Sequence, residues 1–248
     1  MAQGYSKAIF PRSDGPLVSV SLPTRGRPHL LYDAVKSLND LALIPDKIEY
    51  LFRADTDDPK TIDMCCRLVD MLPQATLVVE HRGLGYVNIH HWHGRLCALA
   101  RGDWIMVFND DATMLTPEWD AIIANLSLEY FPHEDIALSF FVSKNRPGCN
   151  EFFILRRKAL EVLGFMSLSP HADNWLHRVF TQLNACGVLT NVVVDHFSGE
   201  MEDQTRIDSV KAYNNGALAQ ATLESLQARK GISDCVKKLS DYIQANKT

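Results

Sequence analysis

Three adjacent polar residues, Asn109, Asp110 and Asp111, follow directly after an apolar run over 104–108. A short unbroken apolar run predicts a strand that is buried on both faces of a sheet. Neighbouring carboxylates at the end of such a strand repel each other and lose hydration, so we expect a positive partner beside them. A divalent cation bound through oxygen is the simplest candidate, but Asn and Asp also form ordinary solvated turns. Both interpretations are open at this point.

Earlier strands are expected to bring more charged groups to the same edge. The alternating stretch 17–22 predicts a first strand, followed by a turn with Thr24, Arg25 and Arg27, and the stretch 48–52 predicts a second strand that leads to Asp55. Ligands bind outside the carboxyl ends of the strands in open α/β sheets. Two arginines in such a turn suit phosphate contact, although loop arginines are often only solvated.

A glycine-containing loop over 81–88 follows a third predicted strand, 76–80. It matches only part of a dinucleotide-binding fingerprint, because Asn88 stands at the third glycine and the loop is not in the first strand-helix unit. The loop is better explained as a glycine-rich turn that brings the backbone close to a ligand other than a dinucleotide. The predicted helix over 87–100 carries His90 and His93 on one face, which could bind a metal. Without a Cys or Glu at ligand spacing, we favour a role in lining a pocket.

Further strands are predicted over 136–142, 151–155 and 191–195, and helices over 29–41, from Asp58, from Thr116 as cap, over 156–164 and over 171–185. From about residue 208 the chain reads as a helical tail with two apolar stripes, which are expected to pack on the domain or on another subunit. These stripes are Val210, Tyr213, Ala217, Leu218 and Ala221, then Ile232, Val236, Leu239 and Ile243. We therefore divide the chain into a domain over 1–207 and a helical extension over 208–248.

Composition is that of an ordinary globular protein. The 248 residues are 46% apolar and 22% charged, with a net charge of −5 that gives no overall attraction to nucleic acid. No apolar run approaches the roughly 20 residues of a membrane span, and the first residues lack the apolar segment of a signal peptide. We expect a cytoplasmic protein. The six cysteines form no CxxC pair, which favours reduced thiols.

Several of these segments together resemble a known family. The stretch 98–111, Ala-Leu-Ala-Arg-Gly-Asp-Trp-Ile-Met-Val-Phe-Asn-Asp-Asp, resembles the Ala-x-Gly, strand and DxD signature of GT-A-fold glycosyltransferases of the family 2 group. The stretches 153–165 and 171–187 are similar to the segments around the acceptor-side acidic residue, and Val194-Asp195-His196 to the strand end that carries a metal-binding histidine. The resemblance covers about 17–205. It implies an α/β fold of Rossmann-like GT-A type, with a mostly parallel central sheet and a helical C-terminal tail.

The resemblance also implies roles for single residues. Asp111 and His196 would bind Mn²⁺ or Mg²⁺, and Asp110 would contact the ribose or sugar of the donor. Asp55 would hydrogen-bond the nucleotide base, commonly uracil, and Thr24, Arg25 and Arg27 would lie beside the nucleotide. Asp173 would be the catalytic base that removes a proton from the acceptor hydroxyl. The implied reaction is metal-dependent transfer from a nucleotide-diphosphate sugar, expected to be a UDP-sugar, with inversion at the anomeric carbon.

Two departures from the family pattern keep other interpretations open. Asn109 replaces the first acid of the DxD motif, and Ala172 replaces the Glu that normally precedes the base. Asp173 could also be an acid in the first turn of a helix, and His196 a histidine bonded to a carbonyl. A nucleotidyltransferase of similar architecture, or a non-catalytic module that binds a nucleotide sugar or carbohydrate, would fit the same residues.

The acceptor is less defined by the sequence. A basic loop with Lys144 and Arg146, together with Trp92 and Trp175, would suit a nucleobase as well as a sugar ring. Small soluble enzymes of this type occur in bacteriophages, and some glycosylate hydroxymethylated pyrimidines in DNA, so a modified DNA base is one acceptor hypothesis. A saccharide, a lipid-linked sugar and a protein hydroxyl are others.

Overall fold

An eight-stranded sheet organises the computed structural model, which describes residues 15–126, 131, 133–148, 151–196, 207, 211 and 226–246. The strands in this part of the chain are β1 (Val18–Pro23), β2 (Ile48–Asp55), β3 (Ala75–Glu80), β4 (Trp104–Val107), β5 (Ala112–Met114), β6 (Leu138–Ser143), β7 (Phe153–Arg156) and β8 (Cys186–His196). The α-helices are α1 (Pro28–Asp40), α2 (Pro59–Met71), α3 (Ile89–Cys97), α4 (Trp119–Ala124), α5 (Arg157–Leu163), α6 (Ala172–Gln182) and α7 (Leu226–Ala245).

The sheet has the order β3-β2-β1-β4-β7-β6-β8-β5. The first four strands are parallel, β6 and β8 are also parallel, and the other pairs are antiparallel. The expected α/β architecture with a mostly parallel sheet is confirmed. Since β1, β2 and β4 run in the same direction, the turns after them meet at one edge of the sheet.

Strand β4 is buried on both faces, as its apolar run predicts. Trp104 and Met106 belong to a core cluster under α1, α2 and α4, whereas Ile105 and Val107 belong to a second cluster under α5, α6 and α7. Helix α7 buries Ile232, Leu239 and Ile243, from the second predicted stripe, in that second cluster, so this face packs within the chain. The first stripe, from Val210 to Ala221, lies outside the described residues, and the boundary at 207/208 stays a prediction. No helix of the described part is long and apolar enough to cross a membrane.

Strand β5 has no counterpart in the sequence prediction. Its three residues pair antiparallel with the end of β8, which places Ala112 opposite His196. A three-residue strand is too short to show a period of two, so only its pairing reveals it. This pairing holds the Asp110-Asp111 turn between β4 and β5 beside the end of β8.

The predicted helix start at Thr116 is wrong. Helix α4 begins at Trp119, after Glu118 in a left-handed conformation with φ of 56°. The Thr116 hydroxyl instead accepts a hydrogen bond of 2.8 Å from the backbone N–H of Val193 in β8. A pairing with a strand distant in sequence therefore outcompetes the local capping signal.

Gly102 is required by close packing just before β4. A Cβ atom there would lie 2.6 Å from the backbone nitrogen of Ser19. The Ser19 hydroxyl accepts from the Gly102 N–H at 2.8 Å and donates to buried Glu49 at 2.5 Å, so the neighbouring atoms are fixed. We expect Gly102→Ala to lower the free energy of unfolding by about 1–3 kcal/mol, as overpacking does.

Urea unfolding monitored by circular dichroism tests this prediction. Gly94→Ala in α3 is the matched control, because its Cβ would meet nothing closer than Met166 Cβ at 3.9 Å. Alanine is also a better helix former than glycine, so the control should be neutral or slightly stabilising. Equal unfolding midpoints for the two variants would contradict the packing argument.

Candidate functional site

Asp110 and Asp111 meet a cation from the turn after β1. Arg27 donates from Nη2 to Asp110 Oδ1 and from Nη1 to Asp111 Oδ2, both at 2.5 Å. Thr24 Oγ1 donates to the other oxygen of Asp110 at 2.7 Å, and the Asp110 side chain is only 2% exposed. The positive partner expected beside the two carboxylates is thus a guanidinium in this structure.

The two carboxyl groups have different electrostatic surroundings. Burial raises the pKa of Asp110 to about 6, against the opposing charge of Arg27. Burial acts in the same direction on Asp111, but hydrogen bonds and charges from His196 and Arg27 outweigh it and lower the pKa of Asp111. Asp111 is therefore the more strongly ionised of the pair and the better group to bind a cation.

His196, at the end of β8, lies between two carboxylates. Its Nε2 is 3.3 Å from Asp111 Oδ1, and its Nδ1 is 2.8 Å from Glu151 Oε2. Phe152 contacts the imidazole edge-on, with ring centroids 5.3 Å apart. Burial lowers the pKa of His196, but both carboxylates favour the charged ring and together raise its pKa to about 9.

Asp111 and His196 fit as neighbouring ligands of one divalent cation. Two adjacent ligands of an octahedral ion with bonds of about 2.1 Å lie roughly 3 Å apart. The observed separation of Asp111 Oδ1 and His196 Nε2 is 3.3 Å. No group of three His, Cys, Asp or Glu side chains within the described ranges could hold a metal ion. The remaining ligands would therefore come from substrate phosphate and water.

A second charged cluster lies at the ends of β1 and β2. Asp55 is fully buried and accepts from Arg25 Nη1 at 2.7 Å and from Arg53. Arg25 also donates to Asp57 at 2.5 Å, and the Arg53 guanidinium stacks on Trp92, 4.1 Å from the ring centroid. The predicted nucleotide-binding residues Arg25 and Asp55 thus contact each other. Each Asp55 oxygen therefore already accepts a hydrogen bond from an arginine, and a base would have to displace one of these two side chains to reach it.

Asp173 lies in the first turn of α6, near enough to Glu151 to feel its charge. Burial raises its pKa, and the nearby negative charge of Glu151 adds to this, whereas His171 and backbone N–H groups oppose it. Asp173 is therefore both an acid in the first turn of a helix and a half-buried carboxyl close to the site. A raised pKa brings a carboxylate closer to the range that suits a general base.

The structure corrects the expected acceptor side. Trp175 is fully buried in the core under α7, so it cannot offer a stacking surface, and Trp92 is covered on one side by Arg53. Lys144 pairs with Asp195 at 3.3 Å and Arg146 with Glu151, so the charges of the basic loop are largely neutralised within the chain. Helical spacing in the sequence shows which side chains share one face of a helix, but it does not show which face is covered by the rest of the protein.

Sequence reasoning missed Glu151 and Arg53 because both lie in or beside apolar strands. An acid that directly precedes the apolar run 152–155 was the only available signal for Glu151. His90 and His93 are buried under the sheet, where His93 Nδ1 is 2.9 Å from Ser21 Oγ. Burial lowers their pKa to about 4 and about 3, so both rings are neutral groups in the packing.

No protein-family model matches the sequence, and no curated protein does. Solved structures do match. The mannosyltransferase PcManGT from Pyrobaculum calidifontis, in complex with GDP-Man and Mn²⁺, superposes with a TM-score of 0.62 over 94% of this chain and 77% of its own, at 15% identity. TarS 1–349 from S. aureus has a TM-score of 0.57 over 92% and 83%, at 12% identity. Its complex with UDP-GlcNAc has a TM-score of 0.55 over 92% and 83%, at 10% identity. The chain therefore has the GT-A fold of these glycosyltransferases.

Proposed function

We propose that this protein is a metal-dependent glycosyltransferase that uses a nucleotide-diphosphate sugar. The observation that carries the proposal is the 3.3 Å contact between Asp111 and His196 at the edge where β1, β2 and β4 end. The similar structures support the donor class, since PcManGT was solved with GDP-Man and Mn²⁺ and TarS with UDP-GlcNAc. We propose a UDP-sugar as donor and inversion at the anomeric carbon.

Each residue has a distinct task in the proposed reaction. A bound Mn²⁺ or Mg²⁺ supplies Lewis-acid stabilisation of the diphosphate leaving group. Asp111 and His196 hold that ion, while Arg27 and Arg25 offer donors to phosphate and nucleotide once they exchange their carboxylate partners. Thr24 holds Asp110 in place to contact the ribose or sugar. Asp55 would accept from the base.

Asp173 performs the proton transfer. It takes the proton of the acceptor hydroxyl as the hydroxyl oxygen attacks the anomeric carbon. The bond from that carbon to the diphosphate breaks, and the nucleoside diphosphate leaves from the opposite face. Attack and departure on opposite faces give inversion.

Thermal unfolding with nucleoside diphosphates and nucleotide sugars, each with and without Mn²⁺, tests the donor class. A ligand that binds the native state at 100 times its Kd stabilises it by about 2.7 kcal/mol, so the true donor should raise Tm measurably. We expect one nucleotide family to give a shift that requires the metal. No shift with any nucleotide, with or without Mn²⁺, would contradict the proposal.

Binding without catalysis is a second candidate function. It is favoured by the ion pairs of Arg27 with Asp110 Oδ1 and Asp111 Oδ2, because the guanidinium already balances negative charge that a metal ion would otherwise balance. A product assay separates the candidates. Transfer releases a nucleoside diphosphate, a nucleotidyltransferase releases pyrophosphate, and a binding module releases neither.

For the acceptor we propose a hydroxymethylpyrimidine base in DNA. The proposal depends on the loop with Lys144 and Arg146, whose side chains are 57% and 50% exposed next to the end of β8 and would have to exchange Asp195 and Glu151 for DNA phosphate. Enzymes that modify a paired base usually flip it out of the duplex. Transfer of labelled sugar to hydroxymethyl-containing duplex, compared with unmodified duplex, saccharides and peptides, tests the acceptor class.

A further inference from the structure

Glu151 stands where it can control the orientation of His196. Its Oε2 lies 2.8 Å from His196 Nδ1, and its Oε1 accepts from Arg146. An ionised carboxylate only accepts hydrogen bonds, so the proton of this contact belongs to Nδ1. The other ring nitrogen, Nε2, is thereby directed towards Asp111, 3.3 Å away.

The imidazole is also held by packing. Phe152, the next residue in the chain, meets the ring edge-on, and Phe152 in turn packs on Phe108 with ring centroids 5.4 Å apart. Both Phe108 and Phe152 are fully buried. The segment 151–152 therefore holds the imidazole through one hydrogen bond and one aromatic contact. Both contacts come from a segment that is distant from β8 in the sequence.

We infer that Glu151 is a positioning residue that presents His196 Nε2 to a divalent cation shared with Asp111. The inference rests on the proposed function, since it concerns the same cation. Glu151 itself is not placed as a ligand, because it contacts the nitrogen on the opposite side of the ring from Asp111. A carboxylate that accepts from the second nitrogen of a metal-binding histidine fixes the tautomer and raises the basicity of the ligand.

Mn²⁺ titration followed by electron paramagnetic resonance of the free ion tests this role. The titration is made with the full chain and each of UDP, GDP, CDP, ADP and dTDP. Loss of such a carboxylate typically weakens metal binding by about 10- to 100-fold, and we expect this of Glu151→Gln. The matched control is Glu161→Gln on α5, an exposed acid that pairs with Arg157 and Lys158. Its Mn²⁺ affinity should equal that of the wild type.

Two further measurements separate positioning from folding. Glu151→Gln is nearly isosteric, so its Tm and its nucleotide binding without metal should stay close to the wild-type values, whereas a purely structural role would lower Tm and leave Mn²⁺ affinity unchanged. Unchanged Mn²⁺ affinity in Glu151→Gln, with loss of binding in His196→Ala, would overturn the role of Glu151 alone. If the wild type binds Mn²⁺ with none of the five nucleotides, this inference and the proposed function are both overturned.

Discussion

Asp111→Asn should abolish metal-dependent sugar transfer while the protein stays folded. The substitution removes the negative charge that Asp111 offers to a cation, but it keeps the size of the side chain. Metal ions contribute several kcal/mol of transition-state stabilisation, and each 1.36 kcal/mol is a factor of ten, so we expect a loss on the order of 1,000-fold in kcat/KM. The Mn²⁺-dependent part of the nucleotide-induced Tm shift should disappear as well.

The stability of this variant is expected to change little. Asp111 pairs with Arg27 and His196, but Arg27 keeps its contact with Asp110, and repulsion between the two carboxylates is removed. Asp63→Asn is the control, because Asp63 is an exposed acid on α2 that pairs with Arg67. Normal transfer by Asp111→Asn would contradict the metal site, and so would an equal loss in Asp63→Asn.

The apolar run 104–108 shows how much of the site local sequence can reveal. Its residues alternate between two core clusters, so burial on both faces and the position of Asp110 and Asp111 at the strand end follow from local sequence. The parallel order of β1, β2 and β4 then brings the turns with Arg27 and Asp55 to the same edge. This half of the site depends on strand direction, which α/β patterning predicts well.

The other half depends on pairings between distant segments. His196 reaches Asp111 because β5, only three residues long, pairs with the end of β8, and Glu151 reaches His196 across 45 positions of sequence. Neither contact produces a periodic pattern in the sequence from which it could be predicted. The sequence also could not show that α7 covers Trp175, whose side chain was expected near an acceptor. The type of a side chain indicates which chemistry it can perform, while tertiary pairing decides whether the side chain lies at the site.

Asp173→Asn should separate catalysis from donor binding. A positioned general base contributes about 100- to 10,000-fold, so we expect kcat to fall by that factor while the metal-dependent nucleotide shift in Tm is retained. Asparagine has nearly the same shape but cannot accept the proton of the acceptor hydroxyl. Asp234→Asn on the exposed side of α7 is the control and should leave transfer unchanged.

The pKa of Asp173 makes the same experiment informative about stability. Because burial raises this pKa above its ordinary value, the folded state favours the neutral acid, and stability decreases as pH rises from the unfolded to the folded pKa. Above that window the ionised group weakens the fold, so the uncharged Asn variant should be as stable as the wild type at neutral pH, or slightly more stable. A large loss of kcat without loss of Tm is the pattern expected of a carboxylate kept for its chemistry.

Wild-type transfer should also decrease on acidification, with a midpoint above the ordinary Asp pKa of about 3.9. Full activity of Asp173→Asn would remove Asp173 from the mechanism, and a drop in Tm would assign it to the first turn of α6 instead.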